Sequence, residues 1–134
     1  MSELNVTQAE VDYEKVKRAI EFVTRNYIRQ PRLEDIAAYC AVSPFHLQRL
    51  FTRWAGISPK KYLQYITLEE SKKRLHRCSN LADVAGDVGL SGTGRLHDLY
   101  IDVEGMTPGQ YKMGGKGVRI YYGFCPSPFG RCLT

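Results

Sequence analysis

Hydrophobic residues recur at helical spacing along most of the chain. Tyr13, Val16, Ile20, Val23 and Tyr27 form the first stripe, and Thr7 with Glu10 ahead of it have capping-box spacing. The pattern predicts an amphipathic helix that closes before Pro31. A short helix follows over Leu33 to Cys40, with Glu34 and Asp35 in its first turn, where the helix dipole favours acids. Ser43 caps the next helix, Pro44 takes its first position, Leu47, Leu50, Phe51 and Trp54 form its buried stripe, and Gly56 ends it. Ser58 and Pro59 repeat that cap and open a longer helix to about His76, after which Asn80 and Asp83 open another short one.

The punctuation repeats because the chain is internally duplicated. Residues 36–46 match 84–94 at an offset of 48, and residues 47–62 match 96–111 at an offset of 49. Ala37 meets Ala85, Ser43 meets Ser91, Leu47 meets Leu96, Leu50 meets Leu99, Gly56 meets Gly105, Pro59 meets Pro108 and Tyr62 meets Tyr111. The offset changes at the glycine-rich turn 92–94, where an extra residue costs least. Each unit is a short helix, a tight turn and a second helix, the layout of a helix-turn-helix.

With its apolar stripe turned inward, the helix after Ser43 exposes Phe45, His46, Gln48, Arg49, Thr52 and Arg53, a set with little reason to coexist for stability alone. Arg49 can make two hydrogen bonds to guanine and Gln48 two to adenine, while Phe45 offers an apolar surface to a thymine methyl. Arg53, Lys60 and Lys61 are placed to meet phosphates, as are the free amides of the helix start at Ser58 and Pro59. Charge sharpens this reading. Residues 1–30 carry five Lys/Arg and five Asp/Glu, residues 31–80 nine against four, and residues 81–134 five against five, so the whole net charge of +5 lies in the middle segment. Such confinement is the footprint of a nucleic-acid binder, although a solvated lysine-rich surface would carry the same charge.

The span from about residue 11 to 113 resembles the DNA-binding domain of AraC/XylS-type transcriptional regulators, notably in the run HLQRLF (His46 to Phe51) and in the endings Gly56 to Pro59 and Gly105 to Pro108. The resemblance implies an all-α fold of seven helices, a double helix-turn-helix of two homeodomain-like units joined by a long helix. The expected domain covers 8–113, with a first unit at about 11–57, a linking helix at 58–77 and a second unit at 80–113. Two recognition helices would then lie about one turn of DNA apart, with Phe45, Gln48 and Arg49 at the family's base-contacting positions. In the second unit the corresponding stretch is Thr93 to Asp98, where Thr93, Arg95 and His97 are the candidate contacts. That unit departs from the family pattern: Gly92 and Gly94 stand where its helix should begin, and 81–105 holds one Arg and five acids. The first unit is therefore expected to dominate. An interaction module that has lost DNA binding remains an alternative.

After Gly114, Gly115 and Gly117 the pattern changes to Val118, Ile120, Tyr121, Tyr122 and Phe124, strand formers that precede a turn of Cys125, Pro126, Pro128 and Gly130 and a further strand opening at Thr134. Together with SGTGRLHDLY, this tail over 114–134 is similar to the junction in proteins that fuse an AraC-type domain to an alkylguanine-DNA methyltransferase. An alkylation-response fusion is thus a second reading. The chain itself is not expected to be an enzyme. That reaction needs a reactive cysteine in a Pro-Cys-His-Arg setting, whereas Cys125 precedes a proline, has no histidine beside it and reads as a half-buried small residue. Cys40, Cys78, Cys125 and Cys132 are scattered, so neither a disulfide framework, a metal site nor a cofactor is expected. The start lacks a signal peptide and no apolar run could span a bilayer, which points to the cytoplasm. The partners expected are double-stranded DNA and, for a transcriptional regulator, RNA polymerase, with the chain a monomer or weak dimer and no small-molecule effector pocket legible.

Overall fold

The computed structural model describes residues 2–78 and 80–134, with side chains from residue 7 onward. Among them are seven α-helices: α1 (Ser2–Asn26), α2 (Leu33–Tyr39), α3 (Pro44–Ala55), α4 (Pro59–Leu75), α5 (Leu81–Asp87), α6 (Thr93–Glu104) and α7 (Pro108–Lys112). A 3-10 turn (Tyr27–Arg29) follows α1, and the chain ends in a hairpin of β1 (Phe124–Ser127) and β2 (Gly130–Leu133). The pairs α2–α3 and α5–α6 are the two helix-turn-helix units.

Local chemistry sets most of the boundaries. The Ser43, Ser58 and Thr107 side chains accept from the backbone amides of His46, Lys61 and Gln110, and in each case the next residue is a proline, pre-set for the first helical position. Gly56 and Gly105 end α3 and α6 at φ 77° and 69°, left-handed values that glycine adopts without a Cβ clash.

Two hydrophobic cores lie side by side and share α4 as a wall. Leu63 enters the first core with Val23 of α1, Ile36 of α2 and Leu47, Leu50 and Phe51 of α3. Leu68 and Leu75, one and three turns further on, enter the second with Val84 of α5 and Leu96, Leu99 and Tyr100 of α6. The duplicated positions are thus buried as duplicates. Even the aromatic pairs correspond, Phe51 with Tyr62 at 5.8 Å and Tyr100 with Tyr111 at 5.6 Å between ring centroids. Tyr100 adds a hydroxyl where Phe51 has none, and α4 supplies its partner, Ser71 Oγ at 2.9 Å. Burial holds the Tyr100 phenol above its ordinary pKa, against the hydrogen bond it shares with Ser71.

A small joint fixes one unit against the other. Gln30, left-handed at φ 49°, ends the turn after α1, and its side-chain amide donates to Tyr27 O at 2.8 Å, Thr67 Oγ1 at 3.0 Å and Val88 O at 3.3 Å. These acceptors belong to the first unit, the linking helix and the second unit. Beside them Gly89 packs against the backbone of Ile28 so closely that a Cβ would lie 1.8 Å from its carbonyl oxygen.

Four expectations are corrected. Helix α1 runs from Ser2, so Thr7 lies inside it and not at its N-cap; no glycine or proline between them stops the helix from extending. Trp54 is 44% exposed, because α3 has filled the core by Phe51 and the indole instead meets Tyr13 edge-on at 5.9 Å. Ser91 does not cap α6: the inserted residue places Gly92 at the N-cap, with no side-chain bond. In the tail, 118–123 form no strand, whereas Cys125 and Pro126 lie within β1 and Pro128 and Phe129 make the turn. Pro126 is tolerated because its ladder position needs no N–H: Gly123 and Thr134 exchange both backbone bonds, which puts Pro126 and Arg131 three steps on at a non-hydrogen-bonded pair. Cys125 is accordingly exposed.

Candidate nucleic-acid interface

Helix α3 presents its candidate reading face because Leu47, Leu50 and Phe51 anchor the opposite side. Phe45 is 72% exposed at the first turn, and the Arg49 guanidinium lies 5.6 Å above its ring, one helical turn on. The stacked pair projects an apolar plate with a planar, five-donor cation upon it. His46 is exposed and Gln48 half-buried. Thr52 turns its hydroxyl back to Gln48 O at 2.7 Å, leaving its lone pairs and methyl outward.

Arg53 is placed differently. Its Nη2 bonds Asp12 Oδ2 of α1 at 2.8 Å, and Asp12 Oδ1 accepts from Gln8 at 2.8 Å. Asp12 is nearly buried while Arg53 stays 67% exposed, so the residue tethers α3 to α1 with part of its guanidinium still in water.

A cleft of about 980 Å³ runs between the units and brings residues from both to one concave surface. Gln48 of α3, Lys60 at the start of α4, and Arg95 and His97 of α6 line it. Lys61 is exposed beside Lys60, in the turn whose amides the Ser58 cap leaves partly unpaired. Phe45, Arg49, Thr93 and Arg53 lie outside the cleft. Four of its polar residues, Gln30, Arg32, Gln64 and Thr67, were not anticipated. The signal for Gln64 was available, since Lys60, Gln64 and Thr67 follow helical spacing along one face of α4. Arg32 carried none, because its place depends on the turn that leads into α2.

In helix α6 the same backbone carries different chemistry. At the offset of the aligned helices, Gln48 corresponds to His97, Arg49 to Asp98, Thr52 to Ile101 and Arg53 to Asp102. Thr93, Arg95 and His97 are exposed as expected, and His97 Nδ1 lies 4.0 Å from Asp98 Oδ1. The two arginines of the first reading face are thus both replaced by carboxylates.

Internal pairing thins the positive charge of the middle segment. Lys73 and Arg74 pair with Glu70, at 2.6 and 3.2 Å, and Lys72 pairs with Glu69 at 2.8 Å and with Glu104 of α6. Burial alone would lower the Lys72 ammonium, but its bonds to Glu104 and Glu69 outweigh it and hold the pKa well above the lysine range. The Lys73 bond, against some desolvation, holds the Glu70 carboxyl below its usual value. Among the described residues of this segment Arg32, Arg49, Lys60, Lys61 and Arg77 have no ion pair, and of these Arg32 and Lys60 line the cleft, opposite Asp98 and Asp102 of α6.

Two helix-turn-helix units on a shared linking helix, one with an exposed basic and aromatic face, define a double helix-turn-helix protein. Residues 36–114 match the family model described as "Helix-turn-helix domain", and the chain belongs to that family, as an AraC-type DNA-binding transcriptional regulator domain. It is 28% identical over 113 residues to the "Bifunctional transcriptional activator/DNA repair enzyme AdaA" of Bacillus subtilis (strain 168), covering 84% of this chain and 54% of that protein. The chain therefore spans about half the length of that relative. Among solved structures, the C-terminal domain of AraT, a response regulator from Geobacillus stearothermophilus, superposes with a TM-score of 0.70 at 22% identity, covering 80% of this chain and 93% of that one. The DNA-binding domain of AdpA, a global transcriptional factor solved in complex with a target DNA, does so with a TM-score of 0.68 at 19% identity, covering 74% and 90%. Among the described residues no helix is long and apolar enough to cross a membrane.

Proposed function

We propose that this domain binds double-stranded DNA in a sequence-specific way with the first unit dominant. Phe45, Gln48 and Arg49 read base edges, flanked by His46 and Thr52, while Lys60, Lys61 and the amides at the start of α4 hold phosphates, with Arg53 lending its exposed edge. Thr93, Arg95 and His97 add weaker contacts from α6. The observation that carries this asymmetry is the exchange of Arg49 and Arg53 for Asp98 and Asp102 on two helices whose cores coincide.

The test begins with selection of bound sequences from a random duplex library, followed by affinity measured against salt. Neutralising several phosphates makes affinity fall steeply as salt rises. Arg49→Ala should cost ~1–3 kcal/mol and relax specificity at one position, whereas Lys60→Ala should weaken all sequences alike and lower the salt slope by about one. Equal losses on replacing Arg95 and His97 would refute the dominance of the first unit. Weak binding that is flat in salt would favour a second reading, in which α6 is a protein contact. Ile101 and Val103, exposed on the same helix as Asp98 and Asp102, support that surface, and RNA polymerase is the partner to try. Similarity to AdaA supports an alkylation-responsive setting for the whole protein.

A further inference from the structure

The terminal hairpin places two thiols opposite each other. Cys125 and Cys132, seven residues apart, are direct partners in the β1–β2 register, and both are free and exposed. Directly opposed residues of an antiparallel pair project to the same face. That face is marked by Ser127, whose Oγ accepts from Cys132 Sγ at 3.2 Å, while Phe124 and Arg131 stack on the other with the guanidinium 5.2 Å above the ring. Neither cysteine takes part in the DNA-facing surface or in either core.

We infer that Cys125 and Cys132 form a reversible dithiol–disulfide site, oxidised by small-molecule disulfides. Their Cα atoms sit at a hydrogen-bonded pair of the ladder, because Gly123 and Thr134, two steps away, exchange both backbone bonds. Such pairs stand ~5.5 Å apart at Cα, within the ~4.4–6.8 Å that a disulfide bridges. At Cβ the match is poorer. Opposed Cβ atoms of this pair type lie near ~5.5 Å, and the bridge needs about 3.8 Å. The strands must pinch together, so the bond forms under strain and is readily reduced, unlike a permanent staple. The hairpin's exposure and short strands make that movement cheap.

The chemistry is two successive thiol–disulfide exchanges. The thiolate of one cysteine attacks a sulfur of glutathione disulfide, forming a mixed disulfide and releasing one glutathione thiolate. The second cysteine's thiolate then attacks the protein sulfur of that mixed disulfide and expels the second glutathione. Two electrons pass from the cysteine pair to the oxidant, whose two thiolates take up the two protons lost by the cysteines.

The test is to equilibrate the full chain in glutathione buffers of graded ratio, quench by alkylation and map the cysteines by mass spectrometry. The expected product has lost two hydrogens, links Cys125 to Cys132, leaves Cys40 and Cys78 alkylated, and returns to the dithiol in excess glutathione. In Cys132→Ser, Cys125 should stop at the mixed disulfide with glutathione. Lasting glutathione adducts on both cysteines of the unaltered chain, or interchain dimers as the main product, would overturn the site. So would a bridge that resists excess glutathione. Phenylarsine oxide, which condenses with two neighbouring thiols and releases water, should bind one per chain and fail to bind Cys132→Ser. Equal binding to both chains would count against the pairing.

Discussion

Replacing Gly89 by alanine tests whether the joint between the units holds them in one geometry. The new methyl would sit 1.8 Å from Ile28 O and 2.5 Å from its carbonyl carbon, both backbone atoms. A tolerable C···O contact is about 3.4 Å, so one backbone must withdraw by about 1.6 Å, a shift of the kind that overpacking makes cost ~1–3 kcal/mol. Alanine at φ 82° adds a left-handed penalty of ~1–2 kcal/mol. Together these predict a loss of ~2–5 kcal/mol in denaturant unfolding. Ala41 provides the control. It is the equivalent turn residue of the first unit, already left-handed at φ 55° and exposed, so the chain carries an alanine in that conformation where no neighbour is struck. Ala41→Gly should therefore change stability by less than about 1 kcal/mol. Denaturant unfolding followed by Tyr fluorescence and by far-UV circular dichroism would also show whether the two cores part company, as a split between the transitions. A loss below about 1 kcal/mol for Gly89→Ala, with coincident transitions, would refute a tight joint.

Three further outcomes are expected. Lys72→Met should flatten the stability decline at high pH: a raised pKa supplies stability that is complete below the lysine value of 10.5 and is lost as pH rises through the folded value, and pH-dependent thermal melting of both proteins reads the difference. Gly92→Ser should raise stability by a few tenths of a kcal/mol, because the N-cap of α6 is extended, uncapped and open around its Cα; differential scanning calorimetry would record it, and a loss would mean that the glycine is needed there. Incubation with O6-methylguanine DNA should leave all four cysteines unmethylated by mass spectrometry, because Cys125 sits on an exposed hairpin with no histidine beside it in the chain.

Most caps, breakers and core positions were legible in the sequence because each depends on residues within one turn of itself, whereas Thr7, Ser91 and Trp54 were misread where helix extension, the inserted residue or packing decided. The exposed face of α3 was legible as what remained of the helix once the apolar stripe was set aside. Contacts made across long separations were not. Nothing near Arg53 in the chain indicates Asp12, and nothing near Gly89 indicates Ile28. Trp54 fits the helical stripe by spacing, but its burial depends on how far α1 leaves the end of α3 uncovered. The charge excess of 31–80 was visible, yet the neutralisation of Lys72, Lys73 and Arg74 by Glu104, Glu69 and Glu70 follows partly from helical spacing and partly from the approach of α6. Cys125 and Cys132 were counted as scattered because register, not sequence distance, makes them neighbours.

The wall that α4 lends to both cores constrains how the two halves can diverge. Unfolding α5 and α6 would strip Leu68 and Leu75 of cover and loosen the same helix that carries Leu63 into the first core. The second unit, whose outer face carries Asp98 and Asp102, is thus part of the foundation on which the first stands. A substitution on its surface leaves that support intact, while one in its interior reaches the first core through α4.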